Sequence, residues 1–337
     1  MDSLSQLALG AAVGVAVMGR RTAPWKAALW GGVCGTLPDL DVVIDHGDAI
    51  RNMTMHRAET HSLFWLTLVS PLLAWLAARL HGEPDRLRRW WLALWLALVT
   101  HPLLDVMTVY GTQILLPFTD RPFGVGSLFI IDPLYTLPLL VGVVAALATR
   151  EPARGLRWNA AGLVLSTAYV GWSFAAQQHV TSLAAESLRA QGLQVQRLLV
   201  TPAPFNTLLW RVVAITPDGH YHEGFRSLLD GDRPVTMDRF ARGEPLYAEL
   251  RGHWHVERIA WFSRGFFSLR EEAGRIVVTD LRMGQEPNYI FAFAVAERGS
   301  AARPLAEPEH VGRRPDFGRA IAWLGPRMLG QPLPPPR

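Results

Sequence analysis

Three short polar motifs interrupt the long apolar runs of this chain: GTLPDLD (residues 35–41), HRAETHS (residues 56–62) and THPLLD (residues 100–105). A carboxylate or an imidazole at the end of an apolar segment is costly unless it is paired or binds something. Several of them within one region indicate a metal site rather than unrelated interfacial residues. The candidate ligands are Asp39, Asp41, His56, His61, His101 and Asp105.

The composition differs between the two halves of the chain. Half of the 337 residues are hydrophobic, and the long apolar runs lie within residues 1–175. We therefore predict a membrane-embedded domain over residues 1–175 and an α+β domain with a Pro-rich tail over residues 176–337. The net charge is +4, and no basic stripe with interleaved aromatics is present, which argues against a nucleic-acid partner. Cys34 is the single cysteine, so an intrachain disulfide is excluded.

The apolar runs set the predicted fold class. It is an α-helical membrane bundle of about six spans, followed by a small soluble α+β domain. The runs cover residues 4–19, 27–44, 62–80, 90–109, 128–149 and 158–175. A span needs about 20 residues, so we expect the first two, which are short, to be tilted or partly re-entrant.

Basic residues alternate between the connections of these runs. They follow the first run (Arg20, Arg21, Lys26), the third (Arg79, Arg86, Arg88, Arg89) and the fifth (Arg150, Arg154, Arg157). By the positive-inside rule these three connections are cytoplasmic. Both termini and all candidate ligands then face outward. This predicts a membrane protein whose C-terminal domain lies outside the cytoplasm.

Each motif predicts its own local geometry. Asp39 and Asp41 are two residues apart and cannot share a helical face. Because Pro38 disfavours helix before it, a turned backbone would aim both carboxylates at one point; alternatively, Asp39 caps a following turn. His101 and Asp105 lie one helical turn apart. Either both bind one ion, or Asp105 orients His101.

Two further positions leave alternatives open. His56 and His61 converge if His56 lies in the loop and His61 in the first turn of the third span, with Thr60 as its N-cap. Asp132 either binds metal or caps a helix that begins with Pro133.

The motifs GTLPDLD, HRxxTHS and HPLLDxxTxYG resemble those of the YdjM/YbcI-type family of inner-membrane metal-dependent hydrolases. The resemblance covers residues 1 to about 175. It departs where relatives carry Thr-His near the N-terminus, since this chain has Ser5 and Gln6, and where HRG becomes His-Arg-Ala at Ala58. The resemblance implies hydrolase chemistry related to that of zinc-dependent phospholipase C.

The ligand set of imidazoles and carboxylates suits Zn, with Mn or Fe as alternatives and one or two ions bound. We predict a membrane-bound hydrolase that acts on a lipid or other amphiphilic ester or phosphoester through a metal-activated water. Asp39 or Asp105 would serve as general base, and Arg57 and Arg121 would contact an anionic head group. Its partners would be membrane lipids and an amphiphilic substrate. The alternative is a non-catalytic metal-binding transporter or anchor whose outer domain binds a partner.

The second half predicts short strands. Residues 208–215 and 221–229 flank the turn sequence Thr-Pro-Asp-Gly, which predicts a β-hairpin. His253 and His255 would face one side of another strand.

Overall fold

The computed structural model describes residues 1–337 and divides them into two compact units. Unit 1 comprises Met1–Ile44, His56–Phe174 and Pro204–Asn206. Unit 2 comprises Asp45–Met55, Ala175–Ala203 and Thr207–Arg337. Unit 1 contains all three polar motifs, and unit 2 contains all the named strands.

Unit 1 consists of helices joined by 3₁₀ turns, and unit 2 also contains helices, namely α3, α8, α9, α10 and part of α7. In chain order the helices of the protein are α1 (Ser3–Met18), α2 (Pro24–Thr36), α3 (Ala49–Met55), α4 (Leu63–Leu80), α5 (Leu87–Val106), α6 (Pro133–Ala148), α7 (Pro152–Ala190), α8 (Glu244–Glu249), α9 (Trp254–Phe262) and α10 (Phe317–Met328). The 3₁₀ turns are Gly19–Arg21, Leu37–Val43, Glu59–His61 and Pro84–Arg86. Helix α1 packs against α2, α5 and α6. Its buried alanines, Ala8, Ala11 and Ala12, allow this close packing on several sides.

The predicted bundle of about six spans is wrong. Two helices are long and apolar enough to cross a membrane, namely Ser3–Arg21, which is α1 with the turn after it, and Leu63–Leu80. The apolar helix Pro133–Ala148 is shorter. Apolar runs overstated helix length because prolines set the helix boundaries: α2 stops at Thr36, before the 3₁₀ turn that contains Pro38, and α6 starts only at Pro133. The last run lies inside the 39-residue helix α7.

The N-cap of α4 is not the residue that the sequence predicts. Ser62, not Thr60, is the N-cap of α4, and its hydroxyl accepts from the backbone N–H of Trp65 at 3.4 Å. Asp132 is the N-cap of α6, and its carboxylate accepts from the N–H of Leu134 at 3.0 Å. Asp132 therefore takes the capping role rather than the ligand role, and Thr60 is left available for another contact.

Helices α1 and α2 touch backbone to backbone. A Cβ added to Gly10 would lie 2.2 Å from the carbonyl oxygen of Gly31, and one added to Gly35 would lie 2.5 Å from that of Gln6. Gly14 makes the same kind of approach to α2, 2.4 Å from a carbonyl oxygen. Small residues four apart let apolar helices approach this closely. The contact fixes Gly35 beside Gln6, at the end of α2 that leads into the first motif.

Unit 2 contains antiparallel sheets. Its strands are β1 (Arg197–Pro202), β2 (Leu209–Ile215), β3 (His220–Ser227), β4 (Met237–Ala241), β5 (Phe267–Glu272), β6 (Arg275–Asp280), β7 (Gly284–Gln285), β8 (Asn288–Tyr289), β9 (Ala292–Arg298) and β10 (Ala302–His310). One sheet has the order β1-β2-β3-β4 and another β10-β9-β6-β5, while β7 and β8 form a small pair. The predicted hairpin is confirmed, since β2 and β3 pair with Ile215 opposite Tyr221. The strand predicted at His253 is wrong, because His253 is the N-cap of α9.

We expect Gly10→Val to disrupt the contact between α1 and α2, because a side chain there must displace the Gly31 carbonyl. The overpacking should lower the free energy of unfolding by about 1–3 kcal/mol or more. Thermal unfolding of the purified protein in detergent measures the effect. Gly171→Val is the matched control, since the position of its Cβ is open. Equal melting temperatures for the two variants would contradict the proposed contact.

Candidate metal centre

Three segments of unit 1 bring the motif side chains together. The 3₁₀ turn Leu37–Val43 follows α2 and carries Asp39 and Asp41. The 3₁₀ turn Glu59–His61 places His61 directly before the N-cap of α4. The last turns of α5 present His101 and Asp105 on one face, as their spacing predicts.

Four of the six predicted ligands form one cluster: Asp39, His61, His101 and Asp105. The Nε2 atoms of His61 and His101 lie 3.1 Å apart. Asp105 Oδ2 is 3.3 Å from each of them, and Asp39 Oδ1 is 3.5 Å from His61 and 3.4 Å from His101. Ligand atoms bound at about 2.0–2.1 Å in a tetrahedron lie about 3.3–3.4 Å apart. These five distances match the ligand spacing of a tetrahedral metal site, and all four ligand atoms lie within 4.8 Å of one another.

Hydrogen bonds orient both imidazoles toward the centre. His101 Nδ1 lies 2.6 Å from the carbonyl oxygen of Gly35, which only accepts, so Nδ1 carries the proton. The hydroxyl of Thr60 donates to Asp41 at 2.8 Å and therefore accepts from His61 Nδ1 at 2.9 Å. In their neutral forms both rings then direct an unprotonated Nε2 at the same point. Such partners behind a metal-binding histidine fix its tautomer and ring orientation.

Asp105 is a buried carboxylate with one engaged and one free oxygen. Its Oδ1 lies 3.1 Å from the Gln6 side-chain amide, 3.4 Å from the Arg57 guanidinium and in contact with the amino group of Met1. Its Oδ2, which faces the imidazoles, has no hydrogen-bond partner. An unpaired buried carboxylate oxygen is costly, and a metal ion would remove that cost.

The other two predicted ligands, Asp41 and His56, lie behind the cluster. Asp41 Oδ2 accepts from the backbone N–H of Arg57 at 2.9 Å and is 3.6 Å from Nδ1 of His61. His56 Nδ1 lies 2.8 Å from Asp41 Oδ1. Asp41 is thus placed to support His61 through Thr60, and His56 to support Asp41.

Asp39 is the accessible member of the cluster. Its side chain is 18% exposed, whereas those of His61, His101 and Asp105 are fully buried. Burial alone would raise the pKa of Asp39, but the neighbouring side chains of His101 and His61 hold this pKa below its usual range. Asp39 therefore stays ionised, which is the form that binds metal.

The two predicted head-group contacts are in different settings. Arg57 is buried, has a φ of +66°, which is uncommon for a non-glycine residue, and stacks its guanidinium over Tyr110 at 4.9 Å. The other, Arg121, is exposed and lies over the ring of Phe123 at 5.6 Å. Arg57 is therefore the one that contacts the cluster, through Asp105.

Sequence reasoning missed three supports of the centre. The Gly35 carbonyl, the Thr60 hydroxyl and the Gln6 amide hold His101, His61 and Asp105, respectively. The contact of the Gly35 carbonyl could have been anticipated in part, because α1 and α2 each contain glycines four residues apart. Such glycines indicate a close helix pair. No local pattern identifies a main-chain carbonyl as a histidine partner.

The centre lies at the starts of both helices that could cross a membrane. Gln6, in the first turn of α1, contacts Asp105, and His61 lies directly before the cap of α4. Both helices therefore run away from the cluster, which places it at one end of each. The basic residues Arg20 and Arg79 lie at the opposite ends of these helices.

A largely buried cluster of two histidines and two aspartates at the ends of apolar helices defines a class: helical proteins with a candidate metal centre. The model of the YdjM inner membrane protein family matches residues 1–180, which is more than half of the chain and includes every residue of the cluster. The chain belongs to this family.

The chain is also similar to two curated proteins. The chain is 29% identical over 164 residues to the uncharacterized protein YfhP of Bacillus subtilis, covering 45% of this chain and 48% of YfhP. It is 33% identical over 109 residues to the inner membrane protein YbcI of Escherichia coli, covering 32% of this chain and 62% of YbcI. The chain thus spans about half of YfhP and less than two thirds of YbcI. No solved structure matches the chain.

We expect the double variant His61→Ala/His101→Ala to lose bound metal, because both buried nitrogen donors disappear. His56→Ala should retain most of the metal, since His56 supports Asp41 and is not in the cluster. Elemental analysis of the purified protein measures both, with the exposed His179→Ala as control. Stoichiometric metal in the double variant, or equal loss in His179→Ala, would contradict the site.

Proposed function

We propose that the protein is a membrane-bound metal-dependent hydrolase whose centre binds one divalent ion, with zinc as the best fit. The observation that carries the proposal is the set of four ligand atoms within 4.8 Å of one another, with each histidine nitrogen 3.1–3.5 Å from the other three atoms and three of the side chains wholly buried. Two imidazoles and two carboxylates are hard-to-borderline donors that suit zinc, and also manganese or iron. A bound ion would acidify a water molecule and polarise the bond to be cut.

The three buried side chains are the fixed part of the proposed site. His61, His101 and Asp105 would hold the ion, which matches the three protein ligands that catalytic zinc sites usually use. Asp39 is the fourth group and the only one of the four with a partly exposed side chain, so solvent and substrate would enter beside it. It would accept the proton of the attacking water and leave the ion's fourth position to that water.

The geometry favours Asp39 over Asp105 as the base. Asp105 already has Oδ1 engaged by Gln6 and Arg57, while Oδ2 is needed as a ligand. A general base must exchange its proton with water during turnover, and Asp105 is fully buried. Arg57 then has two proposed roles: it holds Asp105 in place and attracts an anionic group to the site.

An amphiphilic substrate is supported by the surroundings of Asp39. The same 3₁₀ turn and the residue after it expose four apolar side chains: Leu40, Val42, Val43 and Ile44. Exposed apolar side chains next to a polar centre mark an interaction site. A lipid ester or phosphoester would place its chains against them and its head group near Arg57.

A non-catalytic metal site remains the second candidate, and one observation favours it. Asp39 completes a tetrahedron with the three buried ligands, and closed tetrahedral sites with four protein ligands are usually structural. In that case the ion would stabilise the helix ends, and no bond would be cut.

Asp39→Asn separates the two candidates. For a hydrolase we expect activity to fall by about 10²–10⁴-fold, since the base is lost, while the amide oxygen still allows metal to bind. The assay is a screen of carboxylic and phosphoric ester lipids in nanodiscs, with Zn, Mn or Fe and with chelator. His61→Ala should lose metal and activity together, and His179→Ala should lose neither. If the metal-loaded wild-type protein hydrolyses none of these esters, the non-catalytic alternative replaces this proposal.

We further propose that the centre faces the outside of the inner membrane, because the basic ends of α1 and α4 would be cytoplasmic. Cysteine labelling tests this cleanly, since the single native cysteine, Cys34, is buried. We expect a membrane-impermeant maleimide to label Val43→Cys in intact spheroplasts but not Arg88→Cys. The opposite pattern would place the centre on the cytoplasmic side.

A further inference from the structure

Residues 331–337 of unit 2 have the sequence QPLPPPR and form neither helix nor strand. Pro332, Pro335 and Arg337 give the spacing Pro-x-x-Pro-x-Arg. Proline-rich segments of this kind favour the extended polyproline II conformation, and PxxP segments are recognised by aromatic-lined grooves. A segment of this kind is therefore expected to lie against an aromatic-lined groove.

Arg337 is held by a complete guanidinium-binding site. Its NH1 group donates to Glu223 Oε1 at 3.1 Å and to the carbonyl oxygen of Glu286 at 3.2 Å. The NH2 group pairs with the Asp238 carboxylate, and the guanidinium lies over the ring of Phe240 at 4.8 Å. Strands β3 and β4 thus supply two carboxylates and an aromatic face, and Glu223 is itself fully buried.

The prolines before Arg337 lie along a groove. Pro332 to Pro335 line a cavity of about 430 Å³ together with Phe225, Asp230 and Arg327. Trp323 donates to the carbonyl oxygen of Leu333 at 3.4 Å, and Gln285 to that of Pro336 at 3.1 Å. Residues 331–337 are therefore held through main-chain carbonyls and the aromatic side chain of Trp323. Aromatic-lined grooves are the sites that usually bind PPII segments.

The guanidinium site does not exist merely to neutralise a buried charge. Arg211 already pairs with Glu223, donating from Nε to Oε2 at 3.0 Å. Tyr289 donates to the same oxygen at 3.1 Å. Because Glu223 keeps these partners, the site should persist in the folded protein when Arg337 is removed.

We propose that this face of unit 2, formed by β3, β4 and α10, is a docking site for an extended proline-rich segment that carries an arginine. Residues 331–337 occupy it in cis. A partner protein with a Pro-x-x-Pro-x-Arg segment competes with this tail for the same groove. The tail acts as a tethered competitor. Its effective concentration sets the partner concentration that is needed to displace it from the groove.

The test uses a fluorescent peptide with the sequence QPLPPPR and anisotropy in detergent. The protein variants are the full chain, a variant that ends at residue 330, and the full-length Arg337→Ala. We expect the truncated variant to bind the peptide at least tenfold more tightly than the full chain does, because the cis competitor is gone. The affinity of the Arg337→Ala variant for the peptide should lie between those of the truncated variant and the full chain. The peptide QPLPPPA should bind the truncated variant at least tenfold more weakly than QPLPPPR.

Matched substitutions assign the binding to this face. In the truncated variant, Asp238→Asn should weaken binding, whereas Glu307→Gln on β10 of the other sheet should leave it unchanged. Two results would overturn the proposal. One is that neither the truncated variant, shown folded by its circular dichroism, nor Arg337→Ala binds the peptide. The other is that binding does not depend on the arginine of the peptide.

Discussion

Two imidazole nitrogens face each other 3.1 Å apart in a fully buried position, and in their neutral forms both rings carry the proton on the far side. Two carboxylates complete the cluster, so four electron-rich atoms converge on one point. This arrangement is repulsive unless a cation lies among them. The need for that cation links the fold of unit 1 to its chemistry. It also explains why a carboxylate oxygen of Asp105 is left without a hydrogen bond.

The helices of unit 1 meet this constraint by fixing what lies behind each ligand. The glycine contact between α1 and α2 sets the position of Gly35, whose carbonyl orients His101. Ser62, the residue after His61, is the N-cap of α4, so the ring stays at the helix end. Thr60 then joins His61 to Asp41. Loss of such outer partners typically lowers metal affinity or activity by about 10–100-fold, so the packing of apparently inert helices has a direct chemical consequence.

The six candidate ligands could be identified from the sequence. Which four of them form the cluster could not. The spacing of His101 and Asp105 and the polar breaks in apolar runs were sufficient to predict a cluster, because both are local signals. The separate positions of Asp41 and His56 depend on tertiary packing that no single motif encodes. The predicted spans at α2 and α6 were too long because hydropathy measures composition, whereas Pro38 and Pro133 determine where these helices end and begin. The hairpin of β2 and β3 was predictable because its turn sequence is local. The contacts of the proline-rich tail could not be predicted, because its partners on β3 and β4 lie far away in sequence.

The central claim is that a metal ion binds among His61, His101, Asp105 and Asp39. X-ray absorption at the metal edge, on the full-length protein purified with zinc, tests it most directly. The account predicts a first shell of nitrogen and oxygen at about 2.0–2.1 Å. It also predicts outer-shell scattering from two imidazoles, which disappears in His61→Ala/His101→Ala. A shell of water oxygens alone, with no imidazole scattering in the wild-type protein, would contradict it.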